Sequence, residues 1–133
     1  MIPIGKGDIG LILEKEGLML FLVDIKKSAS NRGYSFELSE EEFKRLTSSN
    51  CFYCDLKPNA IFVPHKSSGS SEKARIRASY IHNGIDRVNN NKGYTLDNCV
   101  TACSVCNYSK RLLSIEQWNK WRKNIALVYL SKK

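Results

Sequence analysis

Residues 84–110 read GIDRVNNNKGYTLDNCVTACSVCNYSK, and residues 51–54 upstream read CFYC. Between them they hold two matched Cys-x-x-Cys motifs, Cys51/Cys54 and Cys103/Cys106. Each motif turns two sulfurs to one side of a tight loop, and two such loops complete a tetrahedral S4 site of the kind that suits zinc. Four thiolates leave no coordination position open, so the expected role of this Zn2+ is structural. Buried free thiols and a redox dithiol are the competing readings, and neither accounts for two pairs. Cys99, four residues before Cys103, reads as a small core residue.

The 133-residue chain is 42% hydrophobic and 26% charged, a globular composition with apolar material for one modest core. A chain this small often recruits a staple. Lys and Arg number 21 against 13 Asp and Glu, a net charge of +8 that falls to +6 with four thiolates and a divalent ion. That surplus favours a polyanionic partner such as nucleic acid. The run LMLFLV (18–23) is far short of the ~20 apolar residues of a membrane span. The N-terminus lacks the order of a secretory signal, so the cytoplasm is the expected compartment and a disulfide framework is not expected.

Along the chain, residues 1–17 read as an irregular lead-in. Leu18, Leu22, Ile25 and Ala29 share one helical face that Gly33 is placed to end, and YSFEL (34–38) alternates like a short strand. Ser39 and Glu42 form a capping box for a helix that buries Phe43 and Leu46. Residues 64–79 read as a serine-rich loop, and Tyr80 through Val88 as strand. A helix is expected from about Ser104. Ser114 and Gln117 cap a last one, whose Trp118, Trp121, Ile125 and Val128 stripe reads as core. This divides one compact domain into a lead-in with helices and a short strand (1–50), a zinc-stapled core (51–113) and a C-terminal amphipathic helix (114–133).

With Asp86, Asn98 and Asn107 set among these cysteines, residues 26–113 resemble the zinc-stapled HNH endonucleases common among phage proteins. The resemblance implies an α+β fold with a ββα-metal core, in which a hairpin and a helix grip one divalent cation, Mg2+ or Mn2+, against the scissile phosphate. Asp86 matches the metal-binding acid and Asn107 the ligand on the helix. Asn98 matches the asparagine that braces the hairpin loop through its backbone, and Lys110 falls where a basic residue often faces phosphate.

Arg87 stands where the family has its general-base histidine. A guanidinium stays protonated at operating pH and cannot take a proton from water. It can clamp a phosphate through two parallel hydrogen bonds, with an ion pair to Asp86 as the competing reading. Either a cation-activated water needs no protein base, or another histidine substitutes, or the site is inactive. His82 and His65 are the candidates. His82 lies ~13 Å from Asp86 along an extended strand, so it reaches the site only if Asn83-Gly84 folds the chain back.

The function these readings imply is divalent-metal-dependent cleavage of double-stranded DNA by a phage-encoded enzyme in the host cytoplasm. Lys66, Lys73, Arg75, Arg77, Lys110 and Arg111 would contact backbone phosphates. The alternative is an inactive HNH scaffold that binds nucleic acid or a protein.

Overall fold

The computed structural model describes residues 6–64 and 71–132, with side chains from residue 14 onward. Helix α1 runs Lys6–Asn31 and α2 Glu40–Ser48; the short strand β1 (Ala60–Phe62) and helix α3 (Glu72–Arg77) follow. Then come β2 (Tyr80–His82), β3 (Gly84–Arg87), a 3-10 turn at Leu96–Asn98, β4 (Cys99–Ala102), α4 (Ser104–Lys110) and α5 (Ile115–Ser131).

Helix α1 begins well before residue 18, so residues 6–17 are helix and not an irregular lead-in. Gly17 explains how that part packs: a Cβ there would collide with the Ala78 carbonyl, so glycine lets α1 lie against the chain entering β2. The helix ends as expected at Gly33, φ +79°, with Tyr34 N–H donating to Ala29 O at 2.9 Å and Gly33 N–H to Ser30 O at 3.0 Å. Leu18, Phe21 and Leu22 on its inner face are buried with Phe43 and Tyr80, while Ala29 joins Leu38, Tyr94 and Cys99 in a second cluster. Full burial of each large apolar side chain stabilises the fold by roughly 1.5–3 kcal/mol.

Both capping boxes form. Ser39 Oγ accepts from Glu42 N–H while Glu42 Oε1 accepts from Ser39 N–H, and Ser114 and Gln117 repeat the exchange. The strand expected at 34–38 is reduced to one parallel bridge, Phe36 with Tyr94, because Leu38 already leads into the α2 cap. Residues 72–77, expected as loop, form α3, since Ser71 Oγ caps it by accepting from Ala74 N–H. His65 and Lys66 lie outside the described residues.

The expected strand Tyr80–Val88 is two strands of different sheets. β2 pairs antiparallel with β1, whereas β3 pairs antiparallel with β4, setting Asp86 opposite Val100 and Arg87 opposite Cys99. Asn83 forms the joint. It is buried, takes Thr47 O with its backbone N–H, and donates through Nδ2 to Ser49 O and Leu56 O. These bonds anchor the turning point to the end of α2 and to the chain after the first cysteine loop.

The tryptophan stripe on α5 divides. Trp118 is buried, but Trp121, Ile125 and Val128 are each about half exposed, so only the first turn of the helix docks as core. Trp118 meets Tyr53 edge-on at 5.4 Å, and Arg122 lies over the same tyrosine at 4.9 Å. No described helix is long and apolar enough to cross a membrane.

Candidate active site and metal centre

The first cysteine loop folds back on itself, with Asp55 N–H donating to Cys51 O and Cys51 N–H to Leu56 O, both at 2.9 Å, and Asp55 at φ +64°. The second spans the end of β4 and the start of α4, where Cys103 is itself the N-cap and its sulfur accepts from Cys106 N–H. The four Sγ atoms lie within 4.8 Å of one another. Cys54 and Cys103 sulfurs stand 3.7 Å apart, against an edge of about 3.8 Å for a tetrahedron with 2.3 Å metal–sulfur bonds. Among the described residues these are the one His/Cys/Asp/Glu group so gathered. Burial pushes the Cys51 thiol up, but the N–H groups of Cys103, Cys54 and Tyr53 outweigh it and bring it to about 7. The four cysteines are positioned to bind a metal ion.

Strands β3 and β4 and helix α4 make a ββα unit, and β3 and α4 line one side of a cavity of about 520 Å³ whose other side is formed by residues of α1 and α2. His82, Asp86, Arg87 and Asn107 all line it, with Arg32, Tyr94 and Arg111. Asp86 is 4% exposed. Its Oδ1 accepts from Lys110 Nζ at 3.2 Å and its Oδ2 from Tyr53 OH at 2.7 Å. Burial, with the bond to Asp86 and its charge, raises the Tyr53 phenol well above the usual range, which keeps it the donor. Asn107 spends its Nδ2 on Ile85 O at 3.4 Å, so its side-chain oxygen is what it offers the cavity.

Lys110 is not turned toward solvent. It is fully buried, and its ammonium is shared by Asp86 and the Arg87 carbonyl at 3.2 Å each. A lysine in that position compensates the buried carboxylate and is not available to a bound phosphate.

Arg87 does not pair with Asp86. Its Nη1 donates to the carbonyls of Asn90 (2.7 Å) and Lys92 (2.9 Å), and its guanidinium lies 3.5 Å over the Tyr34 ring. Asn98 holds the same loop from the other end: Nδ2 donates to Asn89 O and Gly93 O, and Oδ1 accepts from Asn89 N–H.

His82 reaches the cavity because the chain changes sheets at Asn83, not through a tight hairpin. Its ring packs against Phe21 with centroids 4.0 Å apart and planes tilted by 31°, and its Nδ1 is 3.0 Å from Asn83 O. Burial lowers its pKa, partly offset by that carbonyl. Cys99 is buried behind the site, its thiol raised to about 12 by burial and by the charge of Asp86.

Lys73, Arg75 and Arg77 sit on α3, with Arg75 Nε bonded to Pro64 O, and none of them lines this cavity. The sequence reading missed Tyr53, whose signal was its position inside a cysteine loop, and Arg32, whose signal was only its place before the helix-ending glycine.

No protein-family model matches the sequence. The solved structure of the HNH restriction endonuclease PacI superposes with a TM-score of 0.54, covering 87% of this chain and 80% of that one at 18% identity. The fold resembles an HNH endonuclease. In sequence, 92 residues are 45% identical to an uncharacterised protein of Acanthamoeba polyphaga mimivirus. The match takes in 68% of this chain but only 13% of the mimivirus protein.

Proposed function

We propose that the chain is an HNH-type endonuclease that cleaves DNA phosphodiester bonds with the help of Mg2+ or Mn2+, its tetrathiolate holding one structural Zn2+. The observation that carries this reading is the convergence of His82, Asp86, Arg87 and Asn107 on one cavity beside the ββα unit. Viral origin and action in a host cytoplasm belong to the same proposal, supported by the mimivirus relative, and the net charge of +8 suits double-stranded DNA.

One carboxylate and one amide oxygen, Asp86 and Asn107, are the donors a hard cation takes, and each Asp86 oxygen keeps lone-pair capacity beyond its single hydrogen bond. The cation would neutralise charge on the phosphate and on the leaving oxygen. Lys110 would compete with such a cation for Asp86 and weaken its hold. A proton held on His82 Nδ1 by the Asn83 carbonyl leaves Nε2 to accept one from the attacking water. Arg87 uses one nitrogen on the loop and keeps its Nε and Nη2 donors for a phosphate oxygen.

The second reading, an inactive scaffold that binds nucleic acid or a protein, is favoured by one observation. Both Asp86 oxygens already have donors within the chain.

Incubation with supercoiled plasmid and Mg2+ or Mn2+ separates the two. The enzyme nicks, and Asn107→Ala abolishes nicking without changing the melting temperature. Asp86→Asn also abolishes nicking, but at a cost in stability, because either Asn or Ala there leaves the buried Lys110 charge without its partner. Equal nicking by all variants, or none by the wild type, would falsify the enzymatic reading. Cleavage that arises only in Arg87→His would assign the chain to the inactive scaffold.

A further inference from the structure

We propose that Arg111 and Arg32 form a second phosphate clamp, gripping a backbone phosphate that neighbours the one held at Asp86, Arg87 and Asn107. The proposal rests on the DNA-acting reading above and deepens it.

Arg111 has φ +40° and ψ −113°. With Leu113 N–H donating to Lys110 O at 2.8 Å, residues 110–113 form a mirror-image turn, and Arg111 sits at its first central position, where glycine is the favoured residue. An arginine persists in such a conformation only when its surroundings impose it, and strain of this kind concentrates at ligand-binding sites. The turn is fixed at both ends, by buried Lys110 on Asp86 and by Ser114 capping α5. Arg111 is exposed and lines the cavity.

Arg32 approaches the same cavity from the end of α1. Its Nη2 donates to Tyr94 OH at 2.6 Å and its Nε to Ser28 O at 3.3 Å, which orients the group and leaves Nη1 for a phosphate oxygen. Its guanidinium lies 5.5 Å over Tyr34, the ring that Arg87 covers from 3.5 Å. Arg32, Arg87 and Arg111 thus face one cavity. Among the described residues the one ion pair is Lys110 with Asp86, so none of the three arginines has a carboxylate partner. The one carboxylate in the cavity, Asp86, is already paired with Lys110, so three like charges repel one another there, and a strand carrying successive phosphates relieves that. Guanidinium forks suit phosphate oxygens better than any other cationic side chain does.

The test is the salt dependence of binding, read by anisotropy with a short fluorescent duplex and no added divalent cation, between about 50 and 200 mM salt. Each phosphate contact contributes about 0.9 to the slope of log K against log salt. Arg111→Gly and Arg32→Ala each lower the slope by about 1, the double variant by about 2, and Arg111→Lys restores most of it. Arg111→Gly also melts at or above the wild-type temperature, because glycine adopts the turn without strain. Wild-type binding with unchanged slopes in both single variants overturns the clamp alone, as does a lower melting temperature for Arg111→Gly. A wild type with no duplex affinity overturns the clamp and the DNA-acting reading together.

Discussion

Lys110 and Asp86 meet 3.2 Å apart, with the lysine side chain fully buried and the aspartate side chain nearly so. The pair ties α4 to β3 and sets the orientation of the carboxylate that the proposed chemistry uses. Removing one member of a buried ion pair costs more than the pair is worth, because the other charge remains without solvent or partner. Lys110→Met is therefore expected to lose about 3–5 kcal/mol in urea unfolding. Lys110→Met combined with Asp86→Asn is expected to lose less than the sum of the single changes. Additive losses would show the two side chains to be independent.

Tyr53 joins the cysteine loop to the same carboxylate. Tyr53→Phe removes a hydrogen bond to a charged acceptor, worth about 2 kcal/mol, while leaving the metal stoichiometry at about one ion per chain. Cys51→Ser is expected to behave differently and to lose the metal and the fold together. Elemental analysis beside circular dichroism distinguishes them. A folded, metal-free wild type would remove the tetrathiolate from the account.

Asn98 satisfies three backbone groups of the 89–93 loop with one side chain. Asn98→Ala is expected to cost about 2–3 kcal/mol and to speed amide exchange at Asn89, whose N–H loses its acceptor. Exchange there as slow as in the wild type would mean that the loop holds its shape without the side chain.

His82 has a pKa below its ordinary 6.5 because burial penalises the imidazolium. The unfolded chain takes up that proton first as pH falls. The stability that His82 contributes is thus fully present above about 6.5 and is lost progressively below it. Melting temperatures measured between about pH 5 and 7 are expected to fall more steeply for the wild type than for His82→Gln. Parallel profiles would mean that the ring reaches solvent in the folded protein.

Patterns carried by neighbours in sequence were legible in advance. The two Cys-x-x-Cys loops, both capping boxes, the glycine stop at 33 and the inner face of α1 depend on spacings of two to four residues, and backbone geometry makes each spacing act locally. The hairpin unit and Asn98's hold on its loop were likewise reachable from motif positions.

Side-chain destinations across the fold were not. Whether Lys110 faces a phosphate or a buried carboxylate depends on how α4 packs against β3, and nothing near it in the sequence carries that information. Arg87 could have paired with Asp86 beside it. Only the folded loop put the Asn90 and Lys92 carbonyls and the Tyr34 ring within its reach. The sequence by itself determined where α2 and α5 are capped, where α1 stops and where four sulfurs can gather, because those follow from short-range geometry and ligand chemistry. Tertiary packing decided which charges are buried, since the cost of burying a charge is set by neighbours that arrive from distant parts of the chain.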